Sequence, residues 1–180
     1  MITNFSAQPK PQNNNAKILM WLFFGLSAVA AVVYVLISTY RGVVGAVAVA
    51  SVTTAILMYT KYVSVKFFYD VISEDGEDPL FVVRQKVGRR DVTLCRVELA
   101  DIISIDKETA AERKAHKRAK TTPLYVYAPT IAPEVSYRMK VRNSYEHSEI
   151  ILEGSDEFFS TVMKYADEAR TMRHASEDEE

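Results

Sequence analysis

Residues 18–59, ILMWLFFGLSAVAAVVYVLISTYRGVVGAVAVASVTTAILMY, decide the fold of this chain. The stretch holds one charged residue, Arg41, which separates two long apolar runs. A helix rises about 1.5 Å per residue, so about 20 apolar residues cross the roughly 30 Å hydrocarbon core of a bilayer. The stretch therefore predicts a transmembrane helical hairpin within residues 16–65, with spans over about 16–39 and 43–62.

The chain changes character near residue 66, and this change predicts its domains. Residues 66–173 are rich in charge and long enough to bury one core of their own. Residues 1–15, rich in Gln, Asn and Pro, predict a disordered tail, and residues 174–180 an acidic tail. The apolar run continues to Ile37, which is longer than the apolar core of a signal peptide and favours an uncleaved anchor.

The basic residues around the hairpin predict its orientation. Lys10 and Lys17 precede it and Lys61 and Lys66 follow it, whereas the connecting turn holds only Arg41. Since Lys and Arg are enriched on the cytoplasmic side, we expect a multi-pass protein of the inner or plasma membrane with both termini in the cytoplasm. Lys17 and Lys61 lie at the outer ends of the two spans, and the interior of neither span holds a charged side chain, which argues against a proton relay within the hairpin.

The second span carries small residues at four-residue spacing on one face of the predicted helix. Small side chains let two helices approach closely in lipid. This face could pack against the first span of the same chain or against a second chain in a homodimer. Its members are Gly42, Ala46, Ala50 and Thr54.

Short apolar segments with turn signals between them predict an antiparallel β structure after residue 66. Apolar and polar residues alternate most regularly in residues 135–142, where one side should face the core and Arg138, Lys140 and Arg142 the solvent. Ser155 is a good N-cap, and the apolar stripe that follows it predicts an amphipathic helix. The expected fold class is α+β, with a β-barrel or roll closed by this C-terminal helix. The strand candidates are residues 67–73, 80–87, 91–99, 101–106, 124–128, 135–142 and 149–153.

Two basic segments are the candidate binding sites. The first is the hairpin around Gly88, with Lys86, Arg89 and Arg90 at its tip. The second is residues 107–120, which hold six Lys or Arg residues but no apolar stripe and therefore predict an exposed insertion. The insertion could be a solvated loop or a surface that contacts anionic lipid, and without interleaved aromatic residues it does not favour nucleic acid. Its candidate contact residues are Arg113, Lys114, Lys117 and Arg118.

Catalytic motifs are missing from the sequence, so we expect no enzyme, no catalytic residues and no cofactor. The single cysteine, Cys95, excludes an intramolecular disulfide and metal sites built from several thiolates. Alternation along its strand points Cys95 to the core with Val97 and Leu99, where a thiol is inert. The carboxylates of residues 74–78 do not have the spacing of a calcium loop, and a solvated turn is the simpler interpretation.

The order of elements resembles the pleckstrin-homology (PH) superfold, with six or seven antiparallel strands followed by one amphipathic helix. With the preceding hairpin, the chain is similar to small bacterial membrane proteins that carry a PH-like domain after two transmembrane helices. The resemblance implies a non-catalytic module that binds lipid headgroups, peptides or membrane proteins. Phosphoinositide-binding PH domains place a spacer before the last Arg of their first hairpin, whereas Arg89 and Arg90 adjoin, so the expectation is general contact with anionic lipid.

Three functions follow from these observations. The first is a membrane-anchored scaffold or adaptor whose soluble domain binds the inner leaflet or a partner protein. The second is a small accessory subunit of a transporter or secretion assembly, with the hairpin as its interaction surface. The third is a membrane enzyme that uses Cys95 together with a histidine, for which the candidates are His116, His147 and His174.

Overall fold

The computed structural model describes residues 4–37, 39–73, 78–118, 123–142 and 147–177. The chain divides into two units, one formed by Asn13–Val65 and the other by the segments on either side of it. The first unit contains a pair of helices, and the second contains the two β-sheets of the described residues. The turn predicted over residues 74–79 and the end of the acidic tail lie largely outside the described residues.

Two apolar helices make up the first unit: α1 (Asn15–Leu36) and α2 (Arg41–Met58), the latter extended by a π-helical turn at Tyr59–Val63. Their 22 and 23 residues are long and apolar enough to cross a membrane. The connection between the two helices is short and includes a turn at Thr39 and Tyr40. Arg41, which was expected in this turn, is the first residue of α2. The structure thus has two candidate membrane-spanning helices joined as a hairpin.

The face of α2 that packs on α1 differs from the small-residue face expected from the sequence. Ser51 and Ala55 are buried, and Ser27 of α1 donates a hydrogen bond to the Ala48 carbonyl, with Oγ and O 3.1 Å apart. A Cβ atom on Gly45 would lie 3.3 Å from the Tyr34 ring, so the absence of a side chain permits this contact. Of the predicted residues, Gly42, Ala46 and Ala50 are exposed, and Thr54, half-buried, donates to the Ala50 carbonyl of its own helix.

The second unit contains two four-stranded sheets. The first sheet has the strand order β1-β2-β3-β4 and the second β5-β7-β8-β6. β1 pairs with β2, β3 with β4, β5 with β7 and β7 with β8 in antiparallel orientation, whereas β6 pairs with β8 in parallel. Among the described residues the strands form two separate sheets and no closed barrel, which differs from the barrel expected from the sequence. The strands are β1 (Phe5–Ala7), β2 (Val65–Ile72), β3 (Leu80–Val87), β4 (Arg90–Glu98), β5 (Ile102–Thr109), β6 (Leu124–Val126), β7 (Val135–Arg142) and β8 (His147–Leu152).

Helix α4 (Asp156–Glu177) covers the core of the second unit with its apolar stripe. The Phe159 ring stacks on Tyr137 of β7 with ring centroids 4.2 Å apart, and the Phe158 ring lies 6.2 Å from Tyr69 of β2. The helix therefore contacts residues of both sheets. It also continues beyond residue 173, where the sequence predicted an acidic tail, because residues 174–177 extend the same helix.

Part of the N-terminal segment, for which the sequence predicted a disordered tail over residues 1–15, makes specific contacts with the β-sheet unit. Residues Phe5–Ala7 pair with β2 as strand β1, and the Phe5 ring meets Phe158 edge-on at 5.4 Å. The side chain of Gln12 accepts hydrogen bonds from the backbone N–H groups of Glu134 and Val135 and donates one to the Val135 carbonyl. The low hydrophobicity of this segment did not predict these contacts, because they are mainly backbone hydrogen bonds and those of a single aromatic ring.

Candidate functional site

The tip of the β3–β4 hairpin carries one of the two groups of cations that the sequence predicted as binding sites. Gly88 has φ +61°, a left-handed conformation that favours glycine and permits the tight turn. Lys86, Arg89 and Arg90 are exposed around it. Val87 is 40% exposed at the same turn, and Val92 on β4 is 52% exposed. The tip therefore combines cations with apolar side chains.

Contacts between β2 and β3 show at which end of the first sheet this tip lies. Tyr69 of β2 lies beside Phe81 of β3, with ring centroids 6.3 Å apart. Arg84, three residues further along β3, lies over the ring of Phe68, one residue back along β2. Strand β3 therefore runs back along β2, and its last residues return to the end of the sheet at which β2 begins. Lys66, also exposed, is at that beginning.

Arg84 supports the tip without adding free charge to it. Its Nε donates to Asp70 Oδ2 at 2.5 Å and its Nη1 to Asp91 Oδ2 at 3.1 Å. The hydrogen bond to Asp70 is the main reason why the pKa of Arg84 is raised. Because the single charge of Arg84 offsets only one of the two carboxylates, Asp70 and Asp91 leave a net charge of −1 beside the three cations, and the tip keeps a net charge of about +2.

The second basic segment includes the end of β5 and the helix α3 (Ala110–Arg118). Two of its cations form contacts within the domain. Lys107 Nζ lies 2.7 Å from Asp156 Oδ2, and Arg113 Nη2 donates to the Pro133 carbonyl at 2.9 Å. Lys114 is exposed, whereas the side chains of Lys117 and Arg118 lie outside the described residues. The segment thus offers fewer free cations than its sequence suggested.

The start of α3 has a signal that the sequence analysis missed. Thr109 and Glu112 form a capping box: the Thr109 N–H donates to Glu112 Oε2 at 2.7 Å, and the Glu112 N–H approaches Thr109 Oγ1 at 3.4 Å. The bond from the Thr109 backbone lowers the pKa of Glu112. The spacing Thr-x-x-Glu is visible in the sequence and marks the beginning of this helix.

A buried ionic cluster around Arg138 contradicts the expected solvent-facing side of β7. Arg138 is 4% exposed and donates both to Glu108, with Nη2 and Oε1 2.7 Å apart, and to Glu149. Burial opposes the charge of Arg138, but the hydrogen bonds to the two carboxylates outweigh burial and raise its pKa. His116 of α3 joins the cluster, with Nδ1 2.6 Å from Glu108 Oε1. Lys140 and Arg142 are exposed as predicted, and Ser136 is buried.

This cluster fixes positions and does not present a reactive group. Both carboxylate oxygens of Glu108 and Oε2 of Glu149 are directed at Arg138 or His116, so the cluster attaches α3 to the second sheet. A charge at this depth is retained when partners compensate it, which the two glutamates do. No sequence motif announces the cluster, because its members come from three strands and one helix.

Cys95 is half-buried, and burial raises the pKa of its thiol. A raised pKa lowers the fraction of the nucleophilic thiolate at neutral pH. His147 is exposed on β8, and the side chain of His174 lies outside the described residues. Within the described ranges, no group of three or more His, Cys, Asp or Glu residues is arranged to hold a metal ion.

Comparisons of the chain with protein-family models, with curated proteins and with solved structures find no match.

Proposed function

We propose that this chain is a non-catalytic, membrane-anchored scaffold whose PH-like domain docks on an anionic leaflet through the tip of the β3–β4 hairpin. The single observation that carries this proposal is the exposed set of Lys86, Arg89 and Arg90 beside the exposed Val87 and Val92. Cations attract anionic headgroups, and apolar side chains between them enter the interface between headgroups and acyl chains.

Charge and chain connection both favour the tip over the α3 segment. Each basic residue near an anionic surface contributes about 1 kcal/mol, and since the tip has a net charge of about +2, it supplies about 2 kcal/mol. The tip lies at the end of the first sheet where β2 begins, and β2 follows directly from the second apolar helix. An anchored domain needs only this modest attraction, because the anchor keeps its local concentration near the surface high.

The pairing of β1 with β2 supports an anchor that enters and leaves a membrane on one side. β1 precedes the two apolar helices in the chain and β2 follows them, yet the two strands are hydrogen-bonded. Segments in one sheet must occupy the same compartment. Together with the excess of Lys around the hairpin, this favours a cytoplasmic location for both termini.

The test uses the full chain reconstituted in nanodiscs with either a neutral lipid or a mixture containing anionic lipid. Amide hydrogen exchange of residues 85–92 is expected to be about tenfold slower in anionic discs, and the difference should disappear in high salt. Replacing Lys86, Arg89 and Arg90 together by Gln should abolish the difference because the attraction is electrostatic.

The matched control replaces Lys10, Lys140 and Lys164 by Gln, three exposed cations of the same unit outside the tip. This control should retain the slower exchange in anionic discs. Equal exchange in neutral and anionic discs for the unaltered chain would contradict leaflet docking.

The outward stripe on α2 favours a second candidate, an accessory subunit that binds a membrane protein through the helices. Gly42, Ala46 and Ala50 are exposed on α2, on a face that α1 does not cover. Replacing Ala46 and Ala50 by Leu should reduce co-purification of a cross-linked partner from membranes about tenfold, since close approach of helices needs small residues. Replacing Val49, also exposed, by Leu is the control. Unchanged co-purification would remove this candidate.

A further inference from the structure

Residues 4–12, named the latch below, are hydrogen-bonded to the rest of the β-sheet unit at their two ends. At one end, Asn4 accepts a hydrogen bond from the Ser73 N–H, and β1 pairs with β2. At the other end, Gln12 makes five hydrogen bonds, two through its backbone N–H and three through its side-chain amide. Residues 8–11 connect these two points of attachment.

The middle of the latch packs loosely on the unit. A cavity of about 320 Å³ is lined by Ala7 and four further latch residues together with Tyr69 of β2 and Phe158 of α4. No latch residue is buried. Pro9 and Pro11 have no N–H group to donate, so this part of the latch does not continue the strand pairing of β1. A short strand beside a cavity opens at a lower free energy than a packed core does.

The residues beneath the latch are also held by contacts that do not involve it. The Tyr69 ring lies 6.3 Å from Phe81 and 6.4 Å from Phe159. The Phe158 ring meets Phe159 edge-on at 5.2 Å, and the Tyr69 hydroxyl donates to the Tyr127 carbonyl. These contacts remain when the latch leaves. The sheets can therefore stay folded while the latch is open.

A short link joins the latch to the first apolar helix. Helix α1 begins at Asn15, so Asn13 and Asn14 alone separate it from Gln12. Three steps between successive Cα atoms reach at most about 11 Å. While Gln12 keeps its hydrogen bonds, the start of α1 is therefore confined by the latch, and a larger displacement of that start has to break those bonds.

We propose that residues 4–12 act as a conformational latch, which opens while both sheets stay folded and which a displacement of the start of α1 opens. Opening uncovers residues 69–71 at the edge of β2 and the rings of Phe158 and Tyr165, which Phe5 covers in the closed state. Because the coupling is reciprocal, opening the latch also frees the start of α1. The latch thus transmits a change in the apolar helices to the β-sheet unit, and it does not depend on docking of the hairpin tip.

The test measures amide hydrogen exchange at single residues of the full chain in nanodiscs of neutral lipid, where the hairpin tip has no anionic surface to bind. The N–H groups of Gln12 and Ser73 report the two ends of the latch, since each donates across it. Both should exchange at least about tenfold faster than the N–H groups of residues 150–152 in β8, because the latch opens more often than the sheets unfold. Exchange of Gln12 as slow as that of β8 would overturn local opening.

The length of the link tests the coupling to α1. Deleting Asn13 and Asn14 displaces the start of α1 towards Gln12 and should speed exchange of the Gln12 N–H at least about tenfold, with exchange in β8 unchanged within about twofold. The matched control inserts four glycine and serine residues between the two asparagines and should change exchange of Gln12 less than about twofold, because a slack link transmits no pull. Unchanged exchange of Gln12 after the deletion would overturn the coupling.

Filling the cavity tests the loose packing of the latch. Ala7→Leu adds apolar atoms beside Tyr69 and Phe158 and should slow exchange of the Gln12 N–H about fivefold, because it stabilises the closed state. Ser6→Leu is the matched control, since Ser6 is exposed and does not line the cavity, and it should change this exchange less than about twofold. Equal exchange in the two variants would contradict a loosely packed latch.

Discussion

Replacing Phe5 and Gln12 together by Ala is expected to lower the free energy of unfolding of the β-sheet unit by about 3 kcal/mol, with Phe5 contributing apolar and ring contacts and Gln12 hydrogen bonds. The Phe5 ring lies 5.4 Å from that of Phe158 and 5.8 Å from that of Tyr165. The Gln12 amide makes three hydrogen bonds with the backbone of Glu134 and Val135. Both residues precede the apolar helices, so the variant removes contacts between distant parts of the sequence.

The backbone of Gln12 adds a buried contact that this variant keeps. Its N–H donates to Thr130 Oγ1 at 3.0 Å and to Glu153 Oε1 at 3.1 Å. Glu153 is 1% exposed, and Thr130 also donates to it through its N–H and its hydroxyl. A buried carboxylate needs such donors. Deleting residues 4–12 should therefore destabilise the unit further than the double variant does.

The measurement is amide hydrogen exchange of β2 and β8 in the full chain in detergent. A loss of 3 kcal/mol corresponds to exchange more than about hundredfold faster when opening of the unit limits exchange. Gln8→Ala is the control, since Gln8 is exposed in the same segment, and its exchange should match that of the unaltered chain. Unchanged exchange in the Phe5 and Gln12 variant would show that the N-terminal segment does not stabilise the sheets.

Arg138→Ala has the largest expected effect of any single substitution, a loss of about 3–5 kcal/mol of unfolding free energy. The substitution leaves Glu108, 3% exposed, and Glu149, 8% exposed, without the cation that lies between them. Two uncompensated carboxylates at this depth repel each other. Burial has also removed their hydrogen bonds to water, and the guanidinium that replaced those bonds is gone. Hydrogen exchange in β7 should become about a thousandfold faster.

Lys140→Ala is the matched control on the same strand. Lys140 Nζ lies 3.1 Å from Asp106 Oδ2, but the two side chains are 46% and 55% exposed, so this variant should lose no more than about 1 kcal/mol. The Arg138 variant should regain stability as the pH falls, because its folded state takes up protons that remove the repulsion. Replacing Glu108 and Glu149 by Gln in addition should restore part of the loss at neutral pH. Equal effects of Arg138→Ala and Lys140→Ala would contradict a role for the buried cluster.

The sequence predicted the positions of the strands and helices better than the contacts between them. Residues 80–87 were expected as a strand and form β3, and residues 135–142 form β7, because the alternation of apolar and polar residues reports the two faces of a strand. The alternation does not report what covers each face. Arg138 was therefore expected in solvent, whereas α3 and two glutamates bury it.

The candidate binding sites show the same difference between what local sequence predicts and what depends on distant contacts. Lys86, Arg89 and Arg90 are exposed because a tight turn leaves its side chains in solvent, which local sequence can predict. Arg113 was grouped with the exposed cations, yet it donates to the Pro133 carbonyl, 20 residues further along the chain. Its partner could not be found without knowing which segments meet.

The sequence by itself determined that two apolar helices precede a domain of strands with one amphipathic helix, since hydrophobic periodicity and turn residues act over a few positions. Only the tertiary structure decided that residues 5–12 belong to that domain, that Arg138 is buried and that the sheets remain open. These features depend on hydrogen bonds and ion pairs between residues far apart in the chain. Such contacts are selected by the packing of whole elements, and a local pattern cannot encode them.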